Sequence, residues 1–124
     1  MRLRMLRLAL FAFCGLVLLP GVSRGQDASA GEDIFKRKCQ MCHRLSDETK
    51  VGPGLAGVTV RRTEPWINEW LENPKAMIDK GDPVALELVK KYKKPMSKLP
   101  AMESEENRKN VIAFLRENDQ KKKE

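Results

Sequence analysis

The sequence predicts an all-α domain of about four to five short helices. Three observations lead there. Apolar residues recur at spacings of three and four, the period of a helix with one buried face. No stretch alternates apolar and polar residues as a half-buried strand does, and "VTV" at 58–60 is too short to decide anything. Gly and Pro punctuate the edges of the periodic segments rather than their middles.

The chain of 124 residues is long enough for one domain, and its first part is not domain material. Arg2, Arg4 and Arg7 form a basic start, and an apolar run from Leu8 to Leu19 ends at Pro20-Gly21. Its 12 residues are too few to span a bilayer, which takes about 20. Basic, apolar, then small residues is the order of a secretory signal peptide, here residues 1–25 with cleavage after Gly25. Cys14 lies in that leader. A membrane attachment is expected only if the leader stays uncleaved. Cleavage lowers Lys+Arg from 24 to 20 against 17 acids, so the net charge drops from +7 to +3. That is too weak and unpatterned for a nucleic-acid partner. Basic residues stay crowded locally, at Lys90, Lys91, Lys93, Lys94 and Lys98.

The exported part, residues 26–124, divides as follows. Gly31, Ile34, Phe35 and Cys39 share one face of a first helix over Ala28 to Cys39, capped by Asp27 or Ser29. A turn-rich passage follows, broken by Gly52-Pro53-Gly54 and Gly57. Thr63 opens the next helix, with Pro65 in its first turn and Trp66, Ile67, Trp70 and Leu71 as its stripe. Asn73-Pro74 ends it, and "KAMID" adds one more turn. Asp82-Pro83 caps and starts "VALELVKKY". Lys93 to Met102, with two prolines, reads as loop. Ser104 begins the last helix, with Glu105 and Glu106 in its positive first turn and Val111, Phe114 and Leu115 as its buried stripe. Residues 119–124 read as a frayed, solvated tail.

The densest chemistry is "CQMCH". Cys39, Cys42 and the only histidine, His43, fall three and four apart, so on a helical turn all three project to one side. That arrangement suits a planar macrocycle: two thiols bond its edge while the imidazole reaches the central iron. C-x-x-C-H is the attachment signature of a c-type haem, and an export leader fits a cofactor attached outside the cytoplasm. A thiol redox pair would call for a βαβ setting, which is lacking. Zinc needs four ligands, and two Cys and one His stand here too closely bunched. A plain disulfide leaves the adjacency of His43 unexplained.

With His43 as one axial ligand, the opposite position decides the chemistry. With no second His, the choices are Met, Lys or an open site: a Met thioether closes the position and favours ferrous iron, and an open one binds gases. Met41 lies within the attachment turn, and Met77 sits in a helix and reads as core. Met96 and Met102 precede the last helix. Met96, between the prolines of "KKPMSKLP", is the preferred ligand and Met102 the alternative. Trp66 and Trp70 have two readings, an indole N–H for a haem propionate or core aromatics, and the second is favoured. No paired carboxylates in a pocket, Ser-His-Asp set or phosphate loop stands out, so no catalysis is expected.

From about Ala28 to Asn118 the chain resembles a small monohaem class I c-type cytochrome. The resemblance is carried by "AGEDIFKRKCQMCH", "VGPGLAGV", "WINEWLENPKAMI", "GDPVALELVKKY", "KPMSKL" and "SEENRKNVIAFL". It implies a cytochrome c-like bundle wrapped around one covalently bound haem c. Cys39 and Cys42 would form its thioethers, and His43 and Met96 would be the axial ligands. The Pro53 carbonyl would accept the other ring N–H of His43. Leu55 would pack on the haem, with Leu99 a further packing candidate. Gly31 and Phe35 would cross the last helix near Phe114. The function implied is periplasmic electron transfer by a monomer, with redox partner proteins that present an acidic docking surface. The alternatives are a gas-binding or sensing haem protein, or a fixed electron-entry subunit of a larger redox enzyme.

Overall fold

A computed structural model describes residues 25–122; the leader expected at 1–25 lies outside the described residues except for Gly25. Among the described residues the chain is helical with no strand, in agreement with the class read from the sequence. The α-helices are α1 (Ala28–Ile34), α2 (Val58–Arg61), α3 (Glu64–Glu72), α4 (Pro74–Asp79), α5 (Pro83–Tyr92) and α6 (Glu105–Lys121). A π-helical turn (Phe35–Cys39) continues α1, and a 3-10 turn (Pro100–Glu103) precedes α6.

Each start has its cause in a side chain. Asp27 accepts from the N–H groups of Ser29 and Ala30 and begins α1. Thr63, Asn73, Asp82 and Ser104 do the same for α3, α4, α5 and α6. Proline sits in the first turn of α3, α4 and α5, where its missing N–H costs nothing. Lys93 ends α5 in the left-handed conformation, φ 58°. Segmentation is finer than the sequence suggested. The four-residue α2 was not legible in "VTV", because its N-terminal N–H groups are capped by a residue far along the chain, described next.

The solvated tail expected at 119–124 needs correction at its start. α6 runs on to Lys121, and Asp119 is only 5% exposed. Its carboxylate accepts from Gly57 N–H at 2.6 Å, Thr59 N–H at 2.9 Å and the Thr59 hydroxyl at 2.7 Å. It is thus the N-terminal cap of α2, supplied from across the fold. Lys122 and Asn118 reach the carbonyl of Leu45. This last turn is held by contacts that a local reading of "DQKKKE" cannot contain.

The core is built where α1 crosses α6. Ile34, Phe35, Cys39, Ile67, Leu71, Met102, Val111, Ile112 and Leu115 form one buried cluster. Gly31 makes the crossing possible: a Cβ there would stand 2.0 Å from the Asn110 carbonyl oxygen. Phe35 and Phe114 meet beside it, ring centroids 5.5 Å apart. Asn110, itself buried, accepts from the Asp27 N–H at 2.8 Å and ties the start of α1 to the middle of α6. No helix among the described residues is long and apolar enough to cross a membrane.

Candidate haem site

The attachment turn grows directly out of α1. At Phe35 the ladder widens from i−4 to i−5, and the Gln40 N–H reaches the Phe35 carbonyl at 3.0 Å. Such widened turns recur at functional sites. The N–H groups of Cys42 and His43 then both bond the Cys39 carbonyl, at 3.0 and 2.9 Å. One tight turn therefore carries both thiols and the imidazole. Cys39 is buried and Cys42 exposed, and both are free thiols. Burial, with Cys42 beside it, pushes the Cys39 thiol up to about 11, so in the unmodified chain it stays protonated at neutral pH.

The loop after the turn folds back over it. Val51 and Gly52 donate to the Cys42 carbonyl, and Leu55 donates to that of Arg44. This brings the Pro53 carbonyl to 2.8 Å from Nδ1 of His43. Bonded to a carbonyl, Nδ1 must be the protonated nitrogen, which leaves the lone pair on Nε2 for a metal. Gly52 is the floor of the imidazole, since a Cβ there would stand 2.6 Å from Cε1. A cleft of about 390 Å³ opens on the Glu32, Phe35 and Phe114 side of His43. Neither Met96 nor either tryptophan lines it, so it is not the space between the two candidate ligands.

The two candidate methionines are sharply different. Met102 is 0% exposed, a member of the core cluster. Its carbonyl accepts from the buried Arg108 at 2.7 Å. Arg108 also bonds the Glu103 carbonyl and Asn68, so the 3-10 turn is pinned to α3 and α6. Met96 is half-buried at the edge of the cluster, with Leu55, Leu99 and Trp66 packed against the same cluster. Its Sδ lies 3.2 Å from Nε1 of Trp70. Met77 is 1% exposed and Met41 73% exposed; these are core and surface residues.

Trp66 and Trp70 are neither fully buried nor free. They stack on each other, centroids 5.4 Å apart and 11° between planes. The Trp66 indole donates to Asp82 and that of Trp70 to Met96, so both N–H groups have protein acceptors. Sequence reasoning missed these contacts, together with Arg108 and Asp119. The last two did leave a signal: they stand on the same helical stripe as Val111, Ile112 and Leu115.

The donor set fits a covalently held haem: two unpaired thiols and a tautomer-fixed imidazole on one turn, with an accessible thioether on a loop against the same core. Comparison with known proteins agrees. The Cytochrome c family profile matches residues 28–119. Cytochrome c2 of Rhodopseudomonas palustris is 50% identical over 42 residues, 34% of this chain and 29% of that protein. The chain matches about a third or less of the length of such curated relatives. Among solved structures, cytochrome c from Rhodothermus marinus is 36% identical with a TM-score of 0.70, over 76% of this chain and 78% of that one. An engineered form of it bound to a carbene intermediate is 35% identical with a TM-score of 0.66, over 86% of this chain and 91% of that one. The matched span runs from the first residue of α1 to Asp119, taking in the attachment turn and the whole core. This chain belongs to the cytochrome c family as a class I c-type cytochrome carrying one covalent haem c with its iron.

Proposed function

We propose that the protein is a periplasmic electron carrier with His43 and Met96 as axial ligands. When bound, the haem supplies an iron that takes up and releases one electron. The chain's own residues do the rest. Cys39 and Cys42 hold the cofactor by thioether bonds. The Pro53 carbonyl and Gly52 hold the His43 ring in one tautomer and one orientation. Met96 offers a soft sulfur that favours the ferrous state. Leu55, Leu99 and Trp66 pack against the same core cluster as Met96, and Trp70 lies against its sulfur. The observation that carries this reading is the contrast between the two methionines: Met96 is half-buried at the edge of the core cluster, and Met102 is sealed inside it.

A Met96 sulfur closing the second axial position would favour electron carriage over gas binding. Lys90, Lys91, Lys93, Lys94 and Lys98 are all exposed, as are Lys36, Arg37 and Lys38 beside the attachment turn. They would attract a redox partner with an acidic face. We propose a monomer whose leader is cleaved after Gly25, with membrane contact only where the leader is retained.

The test is spectroscopic. Ferric protein should show the weak near-infrared band of iron–sulfur coordination, and Met96→Ala should abolish it. Reduced wild type should bind carbon monoxide slowly and incompletely, and reduced Met96→Ala fast and fully. Rapid, complete binding by wild type would favour a gas-binding haem protein. A band that persists in Met96→Ala would remove Met96 from the site.

A further inference from the structure

We infer that the last turn of α6 is a positioning element for His43, with Asp119 as its principal residue: by gripping the loop that bears Pro53, it keeps the carbonyl on the ring N–H. This rests on the reading of His43 as an iron ligand. The Pro53 carbonyl stands 2.8 Å from Nδ1 of His43. Pro53 itself belongs to no helix, so its place depends on what holds the loop around it.

That loop has two limbs, 44–47 and 52–57, and they are fastened to each other. Leu55 N–H bonds the Arg44 carbonyl at 2.9 Å, and Ala56 N–H bonds that of Ser46 at 3.1 Å. Gly54 lies so close to the first limb that a Cβ there would stand 2.4 Å from the Ser46 carbonyl oxygen. The end of α6 holds both limbs. Asn118 and Lys122 donate to the Leu45 carbonyl on the first, at 3.2 and 2.8 Å. Asp119 accepts from the Gly57 N–H at 2.6 Å at the end of the second, and from the N–H and hydroxyl of Thr59 just beyond it. Asp119 is 5% exposed, so these bonds are made away from water, where a carboxylate is most costly to leave unpaired. Gly57 follows Pro53 by only four residues. Asp119 therefore acts on the imidazole through the loop, fixing the far end of the segment whose carbonyl meets Nδ1.

The test follows the ring proton by NMR in the ferrous holoprotein. In wild type the His43 Nδ1–H should exchange slowly with solvent. Its exchange should rise with added denaturant in step with that of the Gly57 and Thr59 amides, because one opening releases all three. Asp119→Asn keeps the shape but puts a donating amide where an oxygen accepted. The ring proton should then exchange about tenfold or more faster, the effect of losing one bond to a charged group. Its resonance should also move upfield as the bond to Pro53 weakens. Gly31→Ala strains the crossing of α1 and α6 instead, and should lower the melting temperature with both readings unchanged. Unchanged exchange in Asp119→Asn overturns the inference, as does an equal acceleration in Gly31→Ala. So does a wild-type ring proton whose opening is independent of the Gly57 and Thr59 amides, a measurement that needs no variant to fold. His43 ring C–H resonances without the large upfield shift of an imidazole lying over a porphyrin would instead overturn the ligand reading beneath it.

Discussion

At the scale of single residues, the site depends on what each side chain is denied as much as on what it offers. His43 is denied a choice of tautomer by Pro53 and a choice of ring position by Gly52. Met102 is denied solvent altogether, which makes its role separable from that of Met96. Met102→Leu conserves volume and should cost under about 1.5 kcal/mol while leaving the near-infrared band intact. Met102→Ala opens a cavity and should cost about 2–5 kcal/mol, seen as a lower midpoint in denaturant, again with the band retained. Loss of the band in Met102→Leu would assign the ligand to Met102. The sequence could rank these two methionines only by loop composition and by the length of chain left before Phe114. Met102 is buried in the core cluster and its carbonyl accepts from Arg108, a pairing that the apolar pattern does not name.

At the scale of elements, most boundaries were legible because their causes are local. Asp27, Thr63, Asn73, Asp82 and Ser104 each cap the helix directly following. Where the cause is distant, as with Asp119 capping α2, neither the helix nor the role of the residue could be read. The π turn was also illegible. It changes the ladder by one residue, but Gly31, Ile34, Phe35 and Cys39 all remain buried, so the apolar pattern carries no trace of it. The caps predict a pH dependence. The Ala85 N–H holds the Asp82 carboxyl below its ordinary value of 3.8, with Trp66 adding to this. The Ala30 N–H, then Ser29, do the same for Asp27. A carboxyl held low in the folded state binds protons less readily there than in the unfolded chain. Its stabilisation is therefore present above the ordinary value and is lost as pH falls through the lower one. The melting temperature should be nearly flat from neutral pH to about 4.5 and then fall. Asp82→Asn should start lower at neutral pH and lose less on acidification. Parallel curves for the two proteins would show that this cap carries no linkage.

At the scale of the whole molecule, the crossing of α1 and α6 organises everything else. It buries Phe35 and Cys39, and so orients the attachment turn. Gly31→Ala places a methyl group against backbone rather than a movable side chain, at 2.0 Å from the Asn110 oxygen. The helices must separate, and the cost should be about 1–3 kcal/mol or more, measured by thermal unfolding of the holoprotein. A wild-type melting temperature in Gly31→Ala would mean that the two helices are not locked at this point. The glycine and its aromatic neighbours could be placed from the sequence through the resemblance. The polar fastening around them, Asn110 to Asp27 and Arg116 to Glu64, could not, since nothing in a helix's own pattern names a partner on another element.

The bond between Asp27 and Asn110 joins positions 83 residues apart. A chain made or threaded from its amino end presents Cys39 long before α6 arrives to complete the cluster that buries it. Once closed, Cys39 is 6% exposed, with a sulfur too reluctant to ionise at neutral pH. A cofactor joined before α6 docks would meet the Cys39 sulfur in the open, and the last helix would then close over it.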